Sequence, residues 1–153
     1  MAGYTHEWLC QQIVEKAQDA IVFADRKGTI RLWNSGAQTI FGHSPEEALG
    51  KSLDLIIPER LRERHWKGYH KVMETGDTRY GTEVLAVPAI GKNDSRISIE
   101  FTIILLTNDA GETLGTAALI RDVTKRWHSE KEIKKRLADL EAKRQKVASP
   151  DIS

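Results

Sequence analysis

The chain has 153 residues, 40% of them hydrophobic and 29% charged, which describes an ordinary globular protein of one domain plus an appendage and excludes a disordered chain. Its longest apolar stretch, Ile97 to Leu106, is broken by Ser98, Glu100 and Thr102, the start Met1-Ala2-Gly3-Tyr4-Thr5-His6 lacks a secretory pattern, and the lone Cys10 allows no internal disulfide, so a cytoplasmic protein without membrane insertion is expected. The net charge is +1; residues 121–147 hold ten Lys/Arg against five Asp/Glu, but their signs alternate and no DNA-reading motif accompanies them, which argues for a solvated helix face and against nucleic acid as a partner.

Trp8, Leu9, Ile13, Val14 and Ala17 recur at helical spacing, so residues 5–18 are predicted as a short amphipathic helix whose apolar face needs a partner. Ala20–Ala24 and Thr29–Asn34 are predicted strands, joined in a hairpin by Asp25-Arg26-Lys27-Gly28. Short helical pieces follow to Ser52, with Ser44 as N-cap, Pro45 at the first helical position and Glu47 closing a capping box. Pro58 opens a longer helix to about Glu74, which stops before Gly76. Three strand-like segments come next, Arg79–Ile90, Arg96–Leu106 and Leu114–Arg121, separated by turn-forming Gly, Asn and Asp. After Thr124 no strand pattern recurs, and Ile133, Leu137, Leu140 and Val147 fit a heptad seam of about two heptads. Two strands, several helices and three strands make an α+β fold with an antiparallel sheet and its helices on one face, because a parallel sheet would need a helix between most strands. The boundaries read as 1–18 for the cap helix, 19–124 for the domain and 125–153 for a C-terminal linker or coiled-coil helix.

The ordered set Asp25-x-x-Gly28-x-Ile30-x-x-x-Asn34, Ala37, Phe41-Gly42, Glu47, Gly50, Ile57-Pro58 and Arg121-Asp122-Val123-Thr124 resembles the PAS domain over roughly residues 10–125. The resemblance implies a five-stranded antiparallel sheet in the order 2-1-5-4-3, a ligand pocket under the helices, and a sensing and dimerising role with signal output through the C-terminal helix to an output domain or partner protein.

Ile57-Pro58-Glu59-Arg60-Leu61-Arg62-Glu63-Arg64-His65 is similar to the helix that bears the proximal histidine in heme PAS domains of the FixL and direct-oxygen-sensor type. His65 stands at the matching position. Leu61, Gly68, Tyr69 and Val72 share its helix face, whereas His70 is about 140° round the helix with Glu63, Lys67 and Glu74 on the wet side. The resemblance implies heme b with His65 as axial ligand to iron, room for a flat ring beside Gly68 and Tyr69, and Lys71 near a propionate. On the opposite wall, where the oxygen sensors supply a polar or thioether residue, this chain has Leu85 and Val87, with Phe101 and Ile103 from the next strand. Hydrocarbon cannot donate a hydrogen bond to bound dioxygen, so among the diatomic gases carbon monoxide or nitric oxide is favoured over oxygen.

Other readings are weaker. A photochemical flavin adduct needs a cysteine in the helical region, and Cys10 is elsewhere; non-covalent flavin would use Trp33 and Asn34, against a plain reading in which Trp33 is exposed sheet packing and Asn34 caps the next turn. His6, His43 and His128 are scattered and read as surface residues. No nucleophile elbow, phosphate loop or triad is present, so no enzyme is expected. A cofactor-free PAS module for protein interaction is the alternative to a sensor, and the two apolar helix faces favour a homodimer in either case.

Overall fold

Five strands form one antiparallel sheet in the computed structural model, which describes residues 3–78 and 83–148. The strands are β1 (Ala20–Asp25), β2 (Ile30–Trp33), β3 (Leu85–Ile90), β4 (Arg96–Thr107) and β5 (Thr113–Asp122), arranged β2-β1-β5-β4-β3. This is the expected order. Residues 79–82, where the third strand was expected to begin, lie outside the described residues.

Period-two alternation decides which face each side chain takes. Ala20, Val22 and Ala24 of β1 are buried, as are Ile97 and Ile99 of β4 and Ile120 of β5. The register places Val22 opposite Ala118 and Phe101 opposite Ile120, so the small and the branched residues of three strands tile one surface. Helices cover that surface. They are α2 (Ser35–Phe41), α3 (Pro45–Ala48) and α4 (Glu59–Thr75), with a 3-10 turn at Leu53–Ile56, while α1 (His6–Lys16) lies against α2. Phe41, Ile56, Tyr69 and Met73 close the core from the helical side, and each such side chain stabilises the fold by roughly 1.5–3 kcal/mol.

Local signals set the element ends. The Asp25 carboxylate accepts from the Lys27 and Thr29 amides and Gly28 takes φ +79°, which closes the β1–β2 hairpin. Ser44 and Glu47 form the expected capping box at 3.2 and 3.3 Å. Pro58 precedes α4, and Gly76, left-handed at φ +67°, ends it.

The other sheet face is partly apolar and open: Ile104 is 49% exposed, and Leu106 and Leu119 are also exposed. Helix α1 buries none of its residues fully, and Ile13 on it is 65% exposed.

From Val123 the chain forms a second unit, dominated by α5 (Thr124–Ala148). Within it, Arg126 lies 3.6 Å from Glu130 one turn on, and the Lys131 ammonium sits 5.0 Å from the Trp127 ring centre. Ile133, Leu137, Leu140 and Val147 are all exposed along the helix, the seam expected from the heptad.

Candidate functional site

The site is built on α4. Its buried line runs through Tyr69 and Met73, four residues apart. The Tyr69 hydroxyl donates to the carbonyls of Ala24, at 3.2 Å, and Asp25 at the end of β1, tying the helix to the sheet. Burial pushes this phenol above its ordinary pKa, so it stays protonated and keeps donating.

His65 lies one turn before Tyr69, with ring centres 5.7 Å apart, and is half-buried. Its Nδ1 atom is fully buried and has no hydrogen-bond partner. Burial holds its pKa below the ordinary value; the nearby Asp54 carboxylate works against that and the neighbouring His70 with it. The imidazole is therefore neutral at pH 7 and offers one unsatisfied nitrogen, a condition that costs about 1–3 kcal/mol in an apolar setting.

Trp66 seals the outer side of this position. Its indole N–H donates to Asp54 Oδ1 at 2.7 Å, and its ring lies over Gly28, where a Cβ would come within 2.1 Å of it. Glycine is required there twice over, by the contact and by its positive φ. Arg62 fastens the 3-10 turn beneath by donating to the carbonyls of Ile57, at 3.0 Å, and Asp54, at 3.2 Å. His70 is exposed, as expected, and stacks on Trp66 at 5.9 Å.

The remaining expected site residues divide. Leu85 and Phe101 are cross-strand partners on β3 and β4, and Phe101 packs on the core; Ile103 follows on the same face and is partly buried. Val87 does not line a wall, since it is 39% exposed on β3, the edge strand of the sheet among the described residues. Gly68 is likewise a correction: it is exposed, with open space around the position of a Cβ, and leaves no room inside. It precedes Tyr69 by one residue, which turns it about 100° away from the buried line. Lys71 is exposed on the same helix.

Two surface expectations are also corrected. Trp33 is buried, packed at 5.5 Å from Phe41 with its N–H donated to the His43 carbonyl at 2.9 Å. The His43 side chain is only 13% exposed, because it rests edge-on against that indole. Asn34 does cap α2, and sequence reasoning missed the rest of its bonding: it is 4% exposed and ties α1 to the sheet. Among the described residues no group of three or more His, Cys, Asp and Glu could hold a metal ion, and no helix is long and apolar enough to cross a membrane.

A family model described as the PAS fold matches residues 14–127. The chain belongs to the PAS family. The histidine kinase AtoS of Escherichia coli is 27% identical over 130 residues, 84% of this chain and 19% of that protein. The sensor protein FixL of Bradyrhizobium diazoefficiens is 32% identical over 73 residues, covering 48% of this chain and 14% of its own length. The chain thus spans less than a fifth of either relative. Among solved structures, the PAS domain of a Colwellia psychrerythraea protein superposes with a TM-score of 0.67 at 23% identity over 76% of this chain and 96% of that one. The chain is a PAS domain with similarity to part of a signal-transduction histidine kinase and part of a sensor protein.

Proposed function

We propose that this PAS domain is an input module whose cofactor is heme b, held by His65 as axial ligand to the iron, and whose signal is a diatomic gas passed on to an output domain or partner protein. The observation that carries the reading is the neutral, inward imidazole with a buried and unpartnered Nδ1 on α4. A donor nitrogen of that kind is the chemistry an axial ligand needs. When bound, heme supplies an iron that takes carbon monoxide, nitric oxide or dioxygen. The residues of this chain do the rest: Lys71 offers a cation at the surface for a propionate, and Leu85, Phe101 and Ile103 present hydrocarbon without a hydrogen-bond donor, which favours carbon monoxide over dioxygen. The similarity to the sensor protein FixL over 73 residues supports the reading. The exposed α5 seam and α1 face suit a homodimer.

A second reading rests on Tyr69 and Met73. They occupy the space between α4 and the sheet, and the Tyr69 hydroxyl is spent on β1 carbonyls. A heme would have to displace that ring; if it does not, the domain works without cofactor as a protein-interaction module. Non-covalent flavin has less support, because Trp33 is buried on Phe41 and its N–H is already used. Titrating the purified chain with hemin tests the first reading: a saturable Soret band at one heme per chain, shifted by carbon monoxide after reduction, supports it, and a spectrum of free hemin only favours the second.

A further inference from the structure

Tyr69 is held in the core by its hydroxyl as well as by its ring. The hydroxyl is shared between the carbonyls of Ala24, at 3.2 Å, and Asp25, both at the end of β1. Thr116, which pairs with Ala24 across β1 and β5, stands beside the same oxygen. The ring is 8% exposed and packs 5.7 Å from His65 and, edge-on, 5.4 Å from Trp66. The rest of α4 is fastened by other groups: Arg62 bonds the carbonyls of Ile57 and Asp54, Trp66 bonds the Asp54 carboxylate, and Met73 is buried one turn further on. Releasing the Tyr69 hydroxyl therefore does not release the helix. Gly68, exposed beside it, has open space where a side chain would stand, so nothing there blocks an outward turn of the ring.

We propose that Tyr69 is the gate of the cofactor site: latched on Ala24 and Asp25, its ring fills the space beside His65, and loading requires the latch to open and the ring to turn out past Gly68. The inference rests on the reading of His65 as axial ligand and adds to it the residue that sets the affinity. The latched and the loaded chain exclude each other, because the ring and the cofactor claim the same space between α4 and the sheet. A loaded chain forgoes the bonds from Tyr69 to β1. Whatever the latch contributes to the empty chain is therefore subtracted from binding, as for any ligand whose competent state is only a fraction of the whole. A ring without the hydroxyl would still fill the core but would be held by packing alone, so the gate would open more readily.

Hemin titrations of the full chain, with melts of the empty and the saturated protein, test it. Tyr69→Phe should bind hemin about fivefold tighter, the equivalent of one hydrogen bond, and its lower melting point when empty should return to that of the unsubstituted chain once both are saturated. Ser44→Ala, which loosens the fold at α3 and leaves the latch intact, should melt lower in both states with its hemin affinity unchanged. A readout free of iron follows the ring itself. In the chain labelled with 3-fluorotyrosine, the fluorine resonance that is missing from Tyr69→Phe should acquire, on adding zinc protoporphyrin, the H2O/D2O isotope shift already shown by exposed Tyr4. Saturable binding of equal affinity in Tyr69→Phe and the unsubstituted chain would overturn the gate and leave His65 as ligand, as would a Tyr69 resonance that stays shielded from solvent in the loaded chain. No saturable binding in either chain would overturn the gate together with the reading on which it rests.

Discussion

Replacing Tyr69 by Phe isolates the hydroxyl that ties α4 to the sheet. The ring, its packing beside Met73 and its contact with His65 all remain; what is lost is a donor to the Ala24 and Asp25 carbonyls. A buried hydrogen bond contributes about 1 kcal/mol net, and leaving acceptors unpaired raises the loss to about 1–2 kcal/mol. For a unit ending at Asp122, an unfolding entropy of about 2.1 cal/mol/K per residue gives roughly 0.25 kcal/mol/K, so the melting temperature should fall by about 4–8 °C. Urea denaturation followed by circular dichroism gives the same quantity as a midpoint shift at constant slope. Tyr69→Leu adds a cavity term and should cost about 2–4 kcal/mol, while opening the space beside His65. If Tyr69→Phe melts within a degree of the unsubstituted chain, the hydroxyl does not anchor α4, and the geometry argued for the site fails with it.

The pH dependence of stability follows from His65. Its folded pKa lies below the unfolded value of 6.5, so below that pH the unfolded chain takes up a proton that the folded chain refuses, and stability should fall as pH drops from about 7 through the histidine range; His65→Gln should flatten that limb of a urea-midpoint profile. Glu47, held at about 2 by Lys92 and by Ser44, adds a separate loss between about pH 4.5 and 2. Gly28→Ala and Gly50→Ala both bear a positive φ, at a cost of about 1–2 kcal/mol, but only the first meets the Trp66 ring, so Gly28→Ala should be the more destabilising in thermal melts and should shift Trp emission as well. Ser44→Ala removes the cap of α3 and should cost about 1 kcal/mol by the same melts.

Much of the fold was legible because its punctuation is local. Ser44 with Glu47, Pro58 before α4, and Gly28 and Gly76 at positive φ all act within a few residues of themselves, and the alternation in β4 reports its own burial. The site was legible in part. His65 could be assigned to the inner side of α4, but a three- and four-residue pattern allows a stripe wider than the strip the sheet takes, and Gly68 fell on the wrong side of its margin. Trp33 was misread because β1 and β2 shift register between Phe23 and Ala24, which carries Trp33 to the buried face opposite Val22. Val87 lies on an edge strand, and edge position depends on sheet order rather than on the residues of the strand itself. Asn34 shows the limit most plainly: its cap on α2 is a local pattern, whereas the carbonyls it holds come from residues 14–19 and meet it only after folding.

The measurement that bears most directly on the central claim is the hemin difference spectrum of His65→Ala beside that of His70→Ala. The two histidines sit on the same helix, one with a buried, unpartnered nitrogen and one exposed on Trp66. The account predicts a saturable Soret band in the unsubstituted chain, its loss or strong weakening in His65→Ala, and a nearly unchanged spectrum in His70→Ala. Equal loss in both variants, loss in neither, or no band in the unsubstituted chain would contradict it.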